Sequence, residues 1–465
     1  MNFFRKKTFE SVKEGGANSG LAKTLNGFDL IMLGLGAIIG SGVFVLTGIV
    51  AAKYSGPAVM LSYVIAGITC VFVALAYTEL AAMLPTSGSI YTYAYVAFGE
   101  IVAWAMVGVL VLELTVSASG VAAAWSGYVT GLLKAGGVNI PEIYTSVPAH
   151  GGIVNIPAIL IVMFVTFVLY LGTKDSKKLN TILVLIKMTA IGIFVIVAVP
   201  HFDVHNWDNF MPYGFDDVLK GASILFFAFT GFGSLATAAE ECQNPKRDIM
   251  IGIIGSLTLS AVIYVTVGGL ATGITSFENL DNAQPLAHAL TLNNSHIGSA
   301  IVAIGAVCGL TTVVMVNIYA QSRIFYAMSR DGLLPRPFAR LHPKYDSPYI
   351  SIMLVSVVVS ILAGLCPLEL IAQMSSMGAL VDYMVVLIIV MIFRVTMPKV
   401  ARSFKCPALF VIAPTGIVAC LYLLLKQMID KDGSLITAGK VLLMWLVCFV
   451  FAYIIRELFF KRSKI

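Results

Sequence analysis

Charged residues are scarce in this chain. They make up 12% of its 465 residues, whereas apolar residues make up 58% and the mean hydropathy is +0.92. A soluble domain carries about 25% charged residues, so a soluble class is excluded and a membrane protein with many spans is predicted. Pro and Gly interrupt many apolar runs, which membrane helices tolerate where neighbouring groups satisfy the freed backbone.

Other absences exclude several kinds of chemistry. The seven cysteines form no CxxC pair and avoid the long outside loops, so we expect no disulfide and no metal site. None of the six histidines lies within a predicted span, which removes histidine as a proton carrier there. The chain lacks a catalytic constellation at the membrane surface, so we predict no enzyme and no cofactor. It also lacks a clustered basic face, so nucleic acid is excluded as a partner.

The apolar runs predict an all-α integral membrane fold with twelve spans of about 20 residues each. Most of the 30 Lys and Arg residues fall in segments that lie inside if the N-terminus is inside. The positive-inside rule then predicts a multi-pass protein of the plasma (inner) membrane with both termini cytoplasmic. We expect no cleavable signal peptide, because the first apolar run has the length of a span. The predicted spans are 28–49, 57–83, 99–132, 155–172, 178–199, 218–239, 249–271, 297–326, 349–366, 368–393, 407–426 and 436–456.

The first span carries four glycines and a serine near its middle, between Gly34 and Gly42. Each glycine in a helix interior costs about 1 kcal/mol relative to alanine, so the cluster needs an explanation. Close helix packing is one, since Gly36 and Gly40 form a GxxxG pair. The other is an unwound segment at Gly40, Ser41 and Gly42, whose free N–H groups face an anion.

The sixth span repeats this feature, with Thr230, Gly231, Gly233 and Ser234 set among phenylalanines. The two breaks lie about 20 Å and about 18 Å into their spans, so they can meet near the midplane. Breaks five spans apart are typical of a five-plus-five inverted repeat with discontinuous helices 1 and 6. The predicted organisation is a cytoplasmic segment at 1–27, repeats at 28–199 and 218–393, helices 11 and 12 at 407–456, and a cytoplasmic tail at 457–465.

Two such breaks suit the head group of an amino acid. A carboxylate would take the N–H groups of Ser41 and Gly42, and an ammonium would take bare carbonyls near Ile38, Phe227, Ala228 and Thr230. We expect the substrate side chain to contact Ser119, Ser234, Val314 and Met315. This pocket supplies no acid for a desolvated cationic side chain, which favours small or medium neutral amino acids.

Lys187 lies in the apolar run 179–197, where a lysine costs about 2.5–3.5 kcal/mol on insertion scales. Such a charge usually pairs, titrates or marks a solute path. It is about 14 Å from the inner face, so it can reach the broken first helix. We predict Glu113 as its partner, with the Tyr264 hydroxyl nearby, as the proton-coupling group. Two alternatives stay open: a static pair that locks helices together, and an ordinary core position for Tyr264.

Three more charged groups lie near the inner ends of spans. Glu79 is expected to snorkel or to stabilise a gate. Glu240 and Glu241 are expected either to make gate contacts with arginines or to face water. We predict that Arg323 snorkels towards the inner surface.

The chain carries four ordered motifs, at Gly36–Phe44, Tyr77–Tyr91, Ala238–Ile249 and Ser322–Pro335. These motifs resemble those of the amino acid–polyamine–organocation superfamily, and they are similar in particular to cationic amino acid transporter-like bacterial permeases. This resemblance covers almost the whole chain. It implies the LeuT-type fold, amino-acid transport, and head-group contacts by Ile38, Ser41, Gly42, Phe227, Ala228 and Thr230. It also implies that the fifth-span lysine replaces the sodium ion of sodium-coupled relatives.

The predicted function is secondary active transport of neutral L-amino acids with protons, by alternating access. Amino-acid exchange and uptake of cationic amino acids are the alternatives, because Glu113 could serve a basic substrate if Lys187 does not occupy it. A channel is disfavoured, since polar groups concentrate near two helix breaks instead of lining a continuous path. The expected partners are the amino acid, protons and membrane lipid, and the oligomeric state stays open.

Overall fold

Helices make up nearly all the regular structure. The computed structural model describes residues 5–12, 20–282, 284–429 and 435–460. Parts of the two predicted cytoplasmic ends, 1–4, 13–19 and 461–465, lie outside these residues. The α-helices are α1 Gly27–Ile38, α2 Thr47–Val50, α3 Val59–Met83, α4 Ile90–Ala97, α5 Glu100–Ala135, α6 Ile156–Tyr170, α7 Thr173–Ala198, α8 Phe215–Phe229, α9 Ser234–Thr237, α10 Pro245–Ile274, α11 Pro285–Leu292, α12 His296–Arg330, α13 Tyr349–Leu365, α14 Leu368–Thr396, α15 Leu409–Met428 and α16 Thr437–Phe460.

Nine helical stretches of the described residues are long and apolar enough to cross a membrane. The first, Gly27–Met83, contains two predicted spans joined by the 3₁₀ turn Gly56–Ala58. Two shorter apolar helices, α6 and α13, coincide with the fourth and ninth predicted spans. The all-helical, multi-pass membrane fold is therefore confirmed. The count of twelve spans and the inverted repeat stay predictions.

The long helices enclose the two broken ones. α5 packs against α12 and α14, and α10 packs against α1 and α3. α7 packs against α12 and α1, while α8 packs against α3. This arrangement places the middle of α7, and with it Lys187, beside the end of α1.

Glu79 anchors the C-terminal ends of α3 and α14 to each other. Its carboxylate, of which 1% is exposed, pairs with Arg394 and lies 2.9 Å from the Arg402 Nε atom. It also accepts the Cys406 backbone N–H at 2.7 Å. Burial, with the nearby Glu79 charge, raises the pKa of the Cys406 thiol to about 11, so this cysteine is neutral at physiological pH. These buried contacts do not match the predicted snorkelling side chain, and the other predicted role, stabilising a gate, stays a prediction.

We expect Glu79→Gln to destabilise the protein strongly. The change leaves two arginines without their counter-charge, and breaking a buried ion pair costs about 3–5 kcal/mol. The matched control is Lys53→Gln, which removes an exposed pair with Asp281, where the two side chains are 53% and 44% exposed. Such a pair contributes about 0–1 kcal/mol. Thermal unfolding of the purified variants in one detergent should lower the melting temperature clearly for Glu79→Gln alone, and equal shifts would contradict the assignment.

Candidate functional site

The first span is broken where the glycines are most dense. α1 ends at Ile38, and Ile39 is extended with φ −80° and ψ 99°. The chain becomes helical again with Ser41 as N-cap of a π-helical turn, Gly42–Leu46. The predicted break is thus present, although it lies at Ile39 and Gly40, slightly before the Gly40–Gly42 segment. As the first residues of the new helical segment, Ser41 and Gly42 have no preceding turn to accept their N–H groups.

The glycines of this span also serve close packing. A Cβ atom on Gly36 would lie 2.5 Å from the Asn180 Oδ1 atom, and one on Gly40 would lie 2.5 Å from the Val313 Cγ2 atom. Both separations are too short for a real side chain, so α7 and α12 approach α1 at these two points. The two interpretations of the glycine cluster are therefore compatible.

The sixth span is broken as predicted. α8 ends at Phe229 and α9 begins at Ser234. Thr230 is extended with ψ 158°, and Gly231 has φ +108°, a backbone conformation that side-chain-bearing residues rarely adopt. A Cβ atom on Gly231 would also lie 3.0 Å from the Ala37 carbonyl oxygen of α1. The break in this span therefore lies directly against the end of the first broken helix.

All six residues predicted to contact the head group line one cavity between the two breaks. The cavity measures about 10 Å³, which is roughly the room that one water molecule needs. The site is therefore nearly closed around its own main-chain groups. The six residues are Ile38, Ser41, Gly42, Phe227, Ala228 and Thr230.

Tyr264 connects the two breaks. Its hydroxyl lies 2.7 Å from the Ile38 carbonyl oxygen and 2.8 Å from the Ala228 carbonyl oxygen, and it can donate its proton to either. The Phe227 carbonyl accepts from the Thr230 hydroxyl at 2.8 Å. The Phe227 carbonyl also accepts the Thr230 backbone N–H at 3.2 Å, so both of its lone pairs are used. The Tyr264 proton satisfies one of the Ile38 and Ala228 carbonyls at a time, and both of these carbonyls keep lone pairs for an ammonium.

Lys187 is fully buried and lies at the break of the first span. Its Nζ atom donates to the carbonyl oxygens of Leu35 and Ile39 at 2.7 and 2.8 Å, and to the Thr312 hydroxyl at 3.0 Å. A cation is favoured near the C-terminal carbonyls of a helix. The three contacts satisfy all three protons of an ammonium. They explain how α1 can end in mid-membrane without leaving its last carbonyls bare.

The predicted pairing of Lys187 with Glu113 is wrong in this structure. The partners of Lys187 are two main-chain carbonyls and Thr312, which lies on α12. Glu113 instead forms part of the wall of the cavity between the breaks, and its Oε2 atom is buried without a hydrogen-bond partner in the described part of the chain. Lys187 points towards α1 instead of Glu113, because the break leaves carbonyl oxygens at the end of α1 that can accept from the amine. An intact helix would not offer these acceptors.

The four residues predicted to contact the substrate side chain do not line this cavity, and their contact with substrate stays a prediction. Ser119 is fully buried and its hydroxyl donates to the Thr115 carbonyl at 2.7 Å, away from the cavity. Val314 and Met315 lie on other faces of α12, and Ser234 starts α9 outside the cavity wall. The residues that do line it include Ala37, Leu114, Ser117, Val121, Val313 and Asn317.

The helical register explains this displacement. Leu114, Ser117 and Val121 share one face of α5 at helical spacing, and Val313 and Asn317 share one face of α12. Ser119, Val314 and Met315 lie only one or two residues from these positions, which is enough to rotate them out of the cavity. The corrected wall mixes apolar side chains with Ser117 and Asn317, which donate and accept hydrogen bonds.

A dense polar network joins Glu240 and Glu241, which follow the broken sixth span, to α12. The Arg323 Nε atom lies 2.9 Å from the Glu241 Oε1 atom, and both side chains are 1% exposed. Tyr319 donates to the same carboxylate at 2.7 Å, and Arg330 pairs with Glu240 at 2.7 Å. The predicted contacts of the two glutamates with arginines are present, and their role as a gate stays a prediction. The prediction that Arg323 snorkels is wrong, because its guanidinium is held by Glu241.

A larger cavity of about 230 Å³ lies on another side of Phe227. Phe227 lines both this cavity and the small one between the breaks. This residue therefore separates the two spaces.

The fold and the site together define a helical membrane transporter, with a small central cavity between two interrupted helices. The sequence pattern of the amino acid permease family matches residues 25–454, and the chain belongs to this family. The superfamily resemblance is thereby confirmed, and the protein is a transporter and not an enzyme.

Individual relatives support the same assignment. The chain is 39% identical to the branched-chain amino acid permease BcaP of Bacillus subtilis (strain 168), across 91% of this chain and 92% of that protein. It is 36% identical to the methylthioribose transporter of the same organism, across 90% and 92% of the two chains. Cationic amino acid transporter 4 of Mus musculus is 33% identical across 85% of this chain and 64% of its own length.

Proposed function

We propose that this chain carries small or medium neutral L-amino acids together with protons, as a secondary active transporter that works by alternating access. One observation supports this proposal most strongly. The two helix breaks meet at one cavity, and all six predicted head-group residues line it. The N–H groups of Ser41 and Gly42 would bind the carboxylate at a helix start. The remaining lone pairs of the Ile38 and Ala228 carbonyls would bind the ammonium, and the Phe227 carbonyl would join them if Thr230 turned its hydroxyl away.

The cavity wall favours neutral side chains. Leu114, Val121 and Val313 present apolar surface, and Ser117 and Asn317 add short polar groups. An apolar wall stabilises an aliphatic side chain by about 0.8 kcal/mol for each buried methylene. The relative named as a branched-chain amino acid permease accords with a substrate of this kind.

Coupling is assigned to Lys187, Glu113 and Tyr264. Lys187 and Tyr264 hold the carbonyls at the end of α1, so a change in their hydrogen bonds would release the first broken helix. A charged Lys187 donates to Thr312, whereas a neutral amine could accept the Thr312 proton instead. Both protonation states are therefore accommodated, as proton-driven movement of α1 requires.

The membrane placement is also proposed. Lys and Arg concentrate in segments that lie inside when the N-terminus is inside. This favours the plasma (inner) membrane with both termini cytoplasmic. Membrane lipid is accordingly the surrounding partner. The paired breaks support, but do not require, the five-plus-five repeat of 28–199 and 218–393.

A second candidate substrate class is the basic amino acids. Glu113 lines the cavity with a carboxylate oxygen that has no partner in the described part of the chain, and an ammonium or guanidinium side chain could bind there. Several relatives are named cationic amino acid transporters. Exchange of one amino acid for another is the alternative to proton symport.

An uptake panel tests substrate and coupling together. Purified protein in proteoliposomes is given radiolabelled leucine, with and without an inward proton gradient, and with unlabelled valine, alanine, arginine, lysine or methylthioribose as competitor. We expect the gradient to drive accumulation and the neutral amino acids to compete best. Competition only by arginine and lysine, or only by methylthioribose, would contradict the substrate class. Uptake that ignores the gradient but rises with internal amino acid would establish exchange.

A further inference from the structure

In the part of the chain that the structure describes, four buried polar atoms without hydrogen-bond partners belong to side chains grouped around Glu113, which lines the central cavity. They are the Glu113 Oε2, Asp382 Oδ1, Tyr93 hydroxyl and Tyr383 hydroxyl oxygens. Buried polar atoms are normally paired, so unpaired ones need an explanation such as a water molecule or a bound ion. We call the group the acid–tyrosine cluster, and define it by Glu113, Asp382, Tyr77, Tyr93 and Tyr383.

The members of the acid–tyrosine cluster interact with one another. The Glu113 and Asp382 carboxyl groups interact electrostatically, and Tyr77 and Tyr383 interact with both. Tyr93 interacts with Asp382. The backbone brings the acids together, because a Cβ atom on Gly378 of α14 would lie 3.1 Å from the Glu113 Cβ atom on α5. The cluster is therefore a single electrostatic unit formed by α3, α4, α5 and α14.

Among the described residues, no basic side chain forms an ion pair with either acid. The ion pairs found in the described residues include neither Glu113 nor Asp382. Lys187 is occupied at the break of the first span. The titratable groups that face the acids are Tyr77 of α3, Tyr93 of α4 and Tyr383 of α14. Cys70 of α3 interacts electrostatically with Tyr383. Two carboxylates that are buried together without a cation cannot both be ionised at low energetic cost, so they must share at least one proton.

The cluster is also connected to the part of the transporter that is expected to move. Phe232, inside the break between α8 and α9, stacks on Tyr383 with ring centroids 4.9 Å apart. The same phenyl ring meets Tyr77 edge-on at 6.1 Å. Glu113 lines the central cavity beside Ser41 and Thr230. Movement of the broken sixth span would therefore uncover or cover the acids at the same time as the substrate.

We propose that Glu113 and Asp382 together hold the transported proton, with Asp382 as a second proton-binding residue. The inference rests on the proposed proton symport and assigns its proton site. When the outer side is open, a proton from water binds the carboxylate pair and removes its excess negative charge. After the inner side opens, hydration of the pair favours ionisation, and the proton leaves. Lys187 then acts in this cycle by holding the end of α1.

The test uses Asp382→Asn in the full-length protein reconstituted in proteoliposomes, with the interior pH followed by a trapped dye. We expect leucine accumulation driven by the proton gradient to fall at least about tenfold, which corresponds to a free-energy change of about 1.4 kcal/mol. Acidification on leucine entry should disappear. The pH dependence of apparent leucine affinity between about pH 5 and 8 should flatten. Leucine counterflow at equal pH needs no net proton movement and should stay measurable, which shows that the variant is folded.

Matched variants make the outcomes decisive. Asp281→Asn, the same change at an exposed ion pair with Lys53, should leave accumulation and acidification as in the wild type. Glu113→Gln should repeat the Asp382→Asn result, and the double variant should lose no more than either alone, as expected for one functional unit. If Asp382→Asn unfolds the protein, Glu113→Gln and Tyr383→Phe provide the pH profiles instead, and unchanged profiles in both would overturn the proposal.

The remaining outcomes separate this inference from the proposed function. If the wild type moves no protons with leucine, the proton symport itself is wrong. If the wild type is proton-coupled and Asp382→Asn stays coupled with an unaltered pH profile, only the acid-pair site is wrong. A wild type driven by a sodium gradient at clamped pH would reassign the pair to a metal cation. Loss of arginine and lysine competition alone in Asp382→Asn would reassign it to a substrate side chain.

Discussion

Lys187→Ala is expected to abolish proton-driven uptake. The substitution removes three hydrogen bonds that hold the end of α1, two of them to the carbonyls of Leu35 and Ile39. A hydrogen bond from a charged group contributes about 1.5–3 kcal/mol, so the loss of even one should weaken the closed arrangement about 10- to 100-fold. The measurement is initial uptake of radiolabelled leucine into proteoliposomes with an inward proton gradient.

Lys178→Ala is the matched control for this experiment. Lys178 lies on the same helix but is exposed, so its removal should leave uptake within about twofold of wild type, as for most surface substitutions. A Lys187→Ala variant that binds leucine in a thermal-shift assay but no longer responds to the gradient would support the coupling role. Uptake that still follows the gradient at the wild-type rate would remove that role from Lys187.

Thr312 offers a finer test of the same contact. Its hydroxyl accepts from Lys187 at 3.0 Å and lies 2.7 Å from the Gly309 carbonyl and 3.0 Å from the Gly36 carbonyl. Thr312→Val keeps the shape of the side chain but removes the group that a neutral amine would accept from. This variant therefore separates the charge of Lys187 from its ability to switch between two hydrogen-bond patterns.

The positions of the helix breaks could be predicted from the sequence because their cause is local. Gly231 adopts φ +108°, and such a backbone conformation selects glycine directly. The run from Gly34 to Gly42 likewise concentrates helix-destabilising residues in a few turns. The residues beside these breaks are fixed by chain connectivity, which is why all six predicted head-group residues line one cavity.

Contacts between different helices were harder to predict because they depend on rotation and depth. A shift of one residue turns a side chain by about 100° around the helix axis. Val313 therefore faces the cavity while Val314 does not. The prediction that Lys187 pairs with Glu113 was wrong for a similar reason. The similar depth of the two side chains could not show that α1 would offer its carbonyls to the amine.

Asp382 shows a signal that was present in the sequence and was missed. It lies within the apolar helix α14 and is 2% exposed. An ionisable residue at such a position marks a functional site by the same rule that singled out Lys187. The sequence alone does not pair Asp382 with Glu113, because their proximity depends on the packing of α14 against α5. The two charged features of this transporter thus lie in separate places, a lysine that holds the broken helix and an acid pair without a counter-charge.

Gly42→Leu is expected to abolish substrate binding. A Cβ atom at this position would lie 2.3 Å from the Ala228 Cβ atom and 2.6 Å from the Ala228 Cα atom. The second of these is a backbone atom that cannot rotate away, so the two broken helices would have to separate. The larger leucine side chain would also fill the cavity of about 10 Å³ where the head group is proposed to bind. Leucine binding, measured as ligand-induced thermal stabilisation of the purified variant, should therefore fall below detection.

Two further glycine substitutions show whether this effect belongs to the site. Gly42→Ala meets the same Ala228 atoms with a single methyl group, so it should also weaken binding strongly, by more than about tenfold if the helices separate enough to lose one hydrogen bond. Gly192→Ala is the matched control, because a Cβ atom there would meet nothing within 4 Å, and alanine favours the helix by about 1 kcal/mol. Because Gly192 lies on α7 with Lys187, normal binding by Gly192→Ala would show that the loss at Gly42 is not a general effect of adding a methyl group to a membrane helix. Wild-type leucine affinity in Gly42→Leu would instead mean that the amino acid binds away from the two breaks.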